Sequence, residues 1–165
     1  MSISQSRLKE VLNYNPETGK FIWIKRTGPR CKLKSSAGRL DTHGYFQVMI
    51  DKKYYFLHRL AFLYMNGELP EPELVVDHIN GNPSDNRWLN LRQVTKSVNQ
   101  QNRIKATKRS TSGLLGAYWC KTRKVWHSRI LAEGNMYELG VFESAESAHC
   151  AYIKAKRKLH IGCSI

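Results

Sequence analysis

The stretch Asn80-Gly81-Asn82-Pro83-Ser84-Asp85-Asn86 is the strongest constraint on how this chain folds. Each of these residue types favours turns, through side-chain bonds to its own backbone or through permitted dihedrals, so the run reads as a loop. Short apolar segments flank it. Val75-Val76 delivers Asp77-His78 to one end of the loop, and Leu91-Arg92-Gln93-Val94 leaves the other. Thr95 can then cap a helix, its hydroxyl accepting from the unpaired N–H groups of the first turn, and Lys96 to Arg103 contains no breaker. Residues 75–103 therefore read as strand, long polar loop, strand and capped helix.

Upstream, Tyr14-Asn15-Pro16-Glu17-Thr18-Gly19 is a turn feeding a strand at Lys20 to Ile24, and a looser basic segment runs from Arg26 to Arg39. Gly44 to Ile50, Asp51-Lys52-Lys53 and Tyr54 to Phe56 read as strand, polar turn and strand. Leu57, Leu60, Ala61 and Tyr64 then recur at helical spacing until Gly67 and Pro70, which predicts an amphipathic helix over 57–66 packed on that hairpin. Downstream, Gly116 to Trp119, Val125 to Leu131 and Met136 to Phe142 give three strands, and Ser144 caps a helix with Ala148, Tyr152, Ala155 and Leu159 on one face. Lys154, Lys156, Arg157 and Lys158 crowd its last turns, where cations complement the helix dipole. Strand alternation turns Trp126, Ser128 and Ile130 toward this helix and His127 and Arg129 away from it. Trp23, Trp88, Trp119 and Trp126 are expected in the core. The expected fold class is α+β: N-terminal hairpins and a helix lead into the strand–loop–strand–helix, followed by a small three-stranded antiparallel sheet packed on one helix.

Charge narrows the partner. Lys and Arg number 27 against 13 Asp and Glu, a net charge of +14, while a hydrophobic share of 41% argues for folded units that display this charge. A polyanion is the expected partner. No apolar run approaches the ~20 residues of a membrane-spanning helix, and MSISQSRLKE lacks a signal peptide's apolar core, so no membrane partner is expected. Cys31, Cys120, Cys150 and Cys163 are scattered and read as ordinary thiols. Residues 101–165 carry twelve basic and four acidic side chains, and residues 1–100 fifteen and nine, so the tail is the more basic part. Residues 103–113 contain Arg103, Lys105, Lys108 and Arg109 with little to bury, and read as a basic linker or a solvated loop. The expected domains are residues 1–102 and 114–165.

Phosphodiester hydrolysis needs a base to deprotonate water, a Lewis acid for the phosphate and leaving oxygen, and a frame that keeps them apart. His78 can be the base, because imidazole titrates near neutrality. Asp77, its neighbour on an extended backbone, points to the opposite face and can bind a metal ion. Asn99, in the helix after Thr95, can add an amide oxygen; such donors suit Mg²⁺ or Mn²⁺ better than zinc. His58 could contact phosphate or be satisfied within the helix–hairpin packing. Arg59 and Arg92 could be phosphate contacts or solvated charges. Asn80, Asn82 and Asn86 are best explained by turn geometry.

On these residues the segment 75–99, preceded by Leu57-His58-Arg59-Leu60-Ala61, resembles the HNH nuclease motif, the ββα-metal site of phage and intron-encoded homing endonucleases. The resemblance implies that His78 is the general base, that Asp77 and Asn99 hold one divalent ion, Mg²⁺ or Mn²⁺, and that Asn90 bonds backbone across the hairpin and steadies His78. Asn99 stands where many family members have histidine. It also implies double-stranded DNA as substrate, 5′-phosphate ends, and a phage-encoded protein acting in the cytoplasm of a bacterial host. A monomer would nick, and a dimer is compatible with double-strand cleavage. The tail, with its Gly-x-x-Trp, Val-Trp, Leu-Gly-x-Phe and Ser-Ala-Glu-x-Ala elements, is similar to the APETALA/ethylene-response-factor DNA-binding domain, whose sheet enters the major groove. By that resemblance Tyr118, Lys121, Arg123, Lys124, His127 and Arg129 face DNA, with Tyr118 and Leu131 standing where the family has arginines. The rival readings are a non-catalytic DNA-binding regulator built on a degenerate HNH scaffold and, more weakly, an RNA-binding protein.

Overall fold

Ser4 opens the first element by accepting a hydrogen bond from the Arg7 backbone N–H at 3.2 Å, which caps α1 (Gln5–Val11). The computed structural model describes residues 3–28 and 31–164; Pro29 and Arg30 of the expected basic segment, with Met1, Ser2 and Ile165, lie outside the described residues. The chain divides into two compact units, Met1–Lys96 and Ser97–Ile165.

In the first unit, α1 passes directly into β1 (Leu12–Asn15), which pairs antiparallel with β2 (Lys20–Trp23). Leu12, Tyr14, Phe21 and Trp23 are buried and alternate with exposed neighbours, so one face of this hairpin enters the core. The sequence reading places nothing regular before residue 14. The correction has a physical reason: Leu8 and Val11, one helical turn apart, and then Leu12 are sealed completely against the core.

A three-stranded sheet follows, β3 (Arg39–Leu40), β4 (Phe46–Ile50) and β5 (Lys53–Phe56). Asp51 and Lys52 alone make the β4–β5 turn, both with left-handed φ (49° and 64°), so Lys53 belongs to the strand. The expected helix is α2 (Leu57–Asn66), and Gly67 ends it with φ 87° and its N–H on the Leu63 carbonyl at 3.0 Å. Leu57, Leu60, Ala61 and Leu63 of α2 pack into the core with Leu8, Phe21 and Ile50. The loop-flanking strands are β6 (Leu74–His78) and β7 (Leu91–Thr95), antiparallel with Asp77 opposite Arg92 and His78 opposite Leu91. Trp23 is buried and Trp88 half-buried against the same core.

The second unit begins within α3 (Lys96–Gln101), two residues shorter than expected. Its sheet is β8 (Ala117–Cys120), β9 (Val125–Ala132) and β10 (Asn135–Phe142), with β9 central, and α4 (Ala145–Leu159) follows, capped by Ser144. Ser128 and Ile130 are fully buried, and Trp126 packs with Ala117, Ala145 and Ala148, as alternation predicts. A Cβ on Gly116 would lie 2.0 Å from the Tyr152 ring, so only glycine lets β8 begin this close to α4.

Two expectations about the second unit fail. Trp119 sits on edge strand β8 against Trp126, ring centroids 5.2 Å apart, with its outer side in solvent. Lys156, read with the cations that complement the dipole at the end of the helix, is instead 1% exposed, and its ammonium donates to the Arg103 backbone carbonyl. Burial lowers its pKa, as desolvation disfavours the charged form. Residues 103–113 fall in this unit; besides the Arg103 carbonyl, the Ser112 hydroxyl donates to the Ala117 carbonyl at 2.8 Å. All four cysteines are free thiols, and no helix among the described residues is long and apolar enough to cross a membrane. The molecule is α+β, with small antiparallel sheets and a C-terminal three-stranded sheet packed on α4.

Candidate active site

Successive side chains of a strand point to opposite faces, and the end of β6 uses this to separate Asp77 from His78. Both are buried, Asp77 at 6% and His78 at 5% exposure. Across the sheet, Arg92 meets Asp77: its Nε and Nη2 both lie 2.9 Å from Asp77 Oδ2. Arg92 is therefore neither simply solvated nor merely an outward cation. Its first partner is the carboxylate expected to bind metal.

His78 lies among rings on the other face. Its centroid is 5.1 Å from that of His58 and 5.9 Å from that of Tyr45, and Phe56 stacks on His58 at 5.5 Å. His58 is buried on α2, and its Nδ1 has no hydrogen-bond partner. Desolvation, with the nearby His78 and Arg59, pulls its pKa down to about 3, so it is neutral at physiological pH. Burial also lowers the His78 pKa, opposed by the hydrogen bond to Asn86 and by the Asp77 and Asp85 charges. A neutral imidazole is the form a general base requires.

The loop that follows is tied by asparagines. Asn90 Oδ1 accepts from the Asn80 N–H at 2.9 Å, its Nδ2 donates to the Asp85 carbonyl at 2.7 Å, and its own carbonyl accepts from the Ile79 N–H at 2.8 Å. One amide side chain, itself buried, therefore pins both ends of the loop beside His78. Asn80 and Asn82 act in turn geometry: their side-chain oxygens accept the backbone N–H groups of Asn82 and Ser84. Asn86 corrects the turn reading. It is 3% exposed, and its Oδ1 lies 3.1 Å from His78 Nε2. Nothing in the local sequence separates it from its turn-forming neighbours; burial alone does. Arg87 bridges Asp85 at the loop edge, and this bonding holds the Asp85 carboxyl down at about 2.

Asn99 is exposed on α3, in the second unit. A carboxylate and an amide oxygen form the kind of donor set that a hard divalent cation takes, so the residue types fit Mg²⁺ or Mn²⁺. Of the candidate DNA contacts, Arg59, Arg103, Lys105, Lys108 and Arg109 are exposed, as are Lys121, Arg123 and Lys124 at the β8–β9 turn. Tyr118, His127 and Arg129 gather on the sheet face away from α4. The Arg129 guanidinium lies 5.0 Å from the centre of the Tyr118 ring, on which His127 stacks with centroids 5.7 Å apart.

β6, the asparagine-tied loop, β7 and α3 follow one another in the order of a ββα-type nuclease motif, and a family profile described as HNH endonuclease matches residues 55–101. The chain is 35% identical over 95 residues to Protein 3.8 of Escherichia phage T7, a match that covers 58% of this chain and 76% of that protein. It is 42% identical over 67 residues to the uncharacterized HNH endonuclease L247 of Acanthamoeba polyphaga mimivirus, covering 37% of this chain and 17% of that protein. A solved structure titled "DNA binding and cleavage by the HNH homing endonuclease I-HmuI" aligns with a TM-score of 0.43 and 28% identity, over 57% of this chain and about half (52%) of that one. The chain belongs to the HNH endonuclease family, hydrolases of DNA phosphodiester bonds.

Proposed function

We propose that the protein is a metal-dependent endonuclease of double-stranded DNA in which His78 is the general base and Asp77 and Asn99 hold one Mg²⁺ or Mn²⁺ ion. The observation that carries this reading is the end of β6: a buried imidazole with lowered basicity on one face, a buried carboxylate on the other, and Asn90 pinning the loop that follows. His78 takes the proton of the attacking water. Asn90 keeps the imidazole at a fixed height by holding the loop backbone. Arg92 orients the Asp77 carboxylate across the β6–β7 pair. When bound, the ion supplies charge stabilisation at the phosphate and at the leaving 3′ oxygen, which yields 5′-phosphate ends. Asp77 and Asn99 carry the ion's oxygen donors, and neither moves a proton.

The second unit reads DNA, as its resemblance to the APETALA/ethylene-response-factor domain implies. Tyr118, His127 and Arg129 form its contact face, Lys121, Arg123 and Lys124 extend it at the turn, and the exposed cations from Arg103 to Arg109 add phosphate contacts. One centre per chain cuts one strand, so a monomer nicks in a site-selective, homing-type manner. The test is conversion of supercoiled plasmid by the full chain. Nicked circles that form with Mg²⁺ or Mn²⁺ and stop on chelation support the reading. Gel retardation without any divalent-dependent cleavage contradicts it.

A further inference from the structure

Asn86 is set apart from its neighbours by what holds its backbone. The β1–β2 hairpin, which precedes the residues matched by the family profile, grips this point of the loop in three places. The Tyr14 hydroxyl donates to the Asn86 carbonyl at 2.7 Å, and the Trp88 N–H donates to the Pro16 carbonyl at 2.8 Å. Gly19, with φ +70°, approaches so closely that a Cβ there would lie 2.4 Å from the Asn86 carbonyl carbon and 2.5 Å from the Arg87 nitrogen. Tyr14 stays a donor, because burial and the Asp85 charge push its pKa up. The Asn86 backbone is therefore anchored to a hairpin that is itself part of the core, and its Oδ1 is presented to His78 Nε2 at 3.1 Å.

An amide oxygen can only accept, so the His78 nitrogen facing it must carry the hydrogen. A neutral imidazole has one N–H, which puts the lone pair on Nδ1. We propose that Asn86, anchored by Tyr14 and Gly19, is a positioning residue that selects the Nε2–H tautomer of His78 and fixes the ring so that Nδ1 receives the proton of the attacking water. The catalytic part of this proposal rests on the reading of His78 as base; the tautomer does not.

The test uses the full chain labelled with ¹⁵N at histidine and kept metal-free. Two-bond ¹H–¹⁵N spectra report which nitrogen of each imidazole is protonated, and His78→Gln identifies the resonances. The wild type is expected to show a single Nε2–H form for His78, and Asn86→Leu a mixture of tautomers. An Nδ1–H form in the wild type overturns the proposal without any variant being needed. In plasmid nicking, Asn86→Leu should lower kcat about ten- to a hundredfold with an unchanged KM for DNA. Asn86→Asp, which keeps an acceptor oxygen, should recover most of that loss. Wild-type kcat in Asn86→Leu, with His78→Gln inactive, overturns the positioning role alone. Full activity of His78→Gln overturns the base assignment and the catalytic part with it, while the tautomer result stands separately.

Discussion

Replacing His58 by leucine should remove a specific acid sensitivity of the first unit. His58 is buried on α2 between Tyr45, Phe56 and His78, with its Nδ1 lacking a partner, and its pKa lies near 3 in the folded chain against 6.5 for the free side chain. Between those values the unfolded chain binds a proton that the folded chain refuses, so stability falls as pH falls. From about pH 7.5 to about pH 5 this linkage costs about 2 kcal/mol. The charged groups facing the ring are His78 from β6 and Arg59 from α2, and both oppose protonation. His78 adds a loss of the same sign, which the variant retains, so the difference between the two proteins isolates His58. The assay is urea-dependent amide exchange of peptides from α2, corrected for intrinsic rates, at both pH values. His58→Leu should lose less stability than the wild type by roughly 2 kcal/mol on acidification. Equal losses in the two proteins would refute the reasoning, because they would mean that His58 protonates in place.

Three further outcomes are expected. Gly19→Ala, which combines a left-handed φ with a backbone clash at Asn86, should destabilise the first unit by about 2 kcal/mol in urea unfolding and lower nicking activity in parallel. Arg92→Met removes the guanidinium held at 2.9 Å from the buried Asp77 carboxylate and should cost about 2 kcal/mol in the same measurement. If the segment from Arg103 to Arg109 contacts phosphates as proposed, Lys105→Ala and Lys108→Ala should each reduce the log–log salt dependence of DNA binding by about 0.9, without changing the preferred site.

The strand–loop–strand over 75–95 is legible in the sequence because its signals are local. Turn formers from Asn80 to Asn86 leave the chain little choice, and Gly67 marks the end of α2 within one residue. The alternation that buries Ser128 and Ile130 is equally local. What the sequence hides depends on distant partners. Asn86 resembles its neighbours in composition, and only the approach of Tyr14 and Gly19, more than sixty residues earlier, turns it from a loop residue into a buried partner of His78. Lys156 looks like one more helix cation until the Arg103 carbonyl is placed beside it. Trp119 looks like core until β8 proves to be an edge. The pairing of Arg92 with Asp77 follows from strand register, which alternation alone does not set.

The central claim, that His78 activates water beside a metal held through Asp77, is tested most directly by nicking rates of His78→Ala and Asp77→Ala on supercoiled plasmid with Mn²⁺, alongside DNA affinity measured with the metal withheld. The account predicts that His78→Ala nicks at least about a hundredfold more slowly than the wild type, and Asp77→Ala likewise, with DNA affinity retained in both. Cleavage by His78→Ala at the wild-type rate would contradict it.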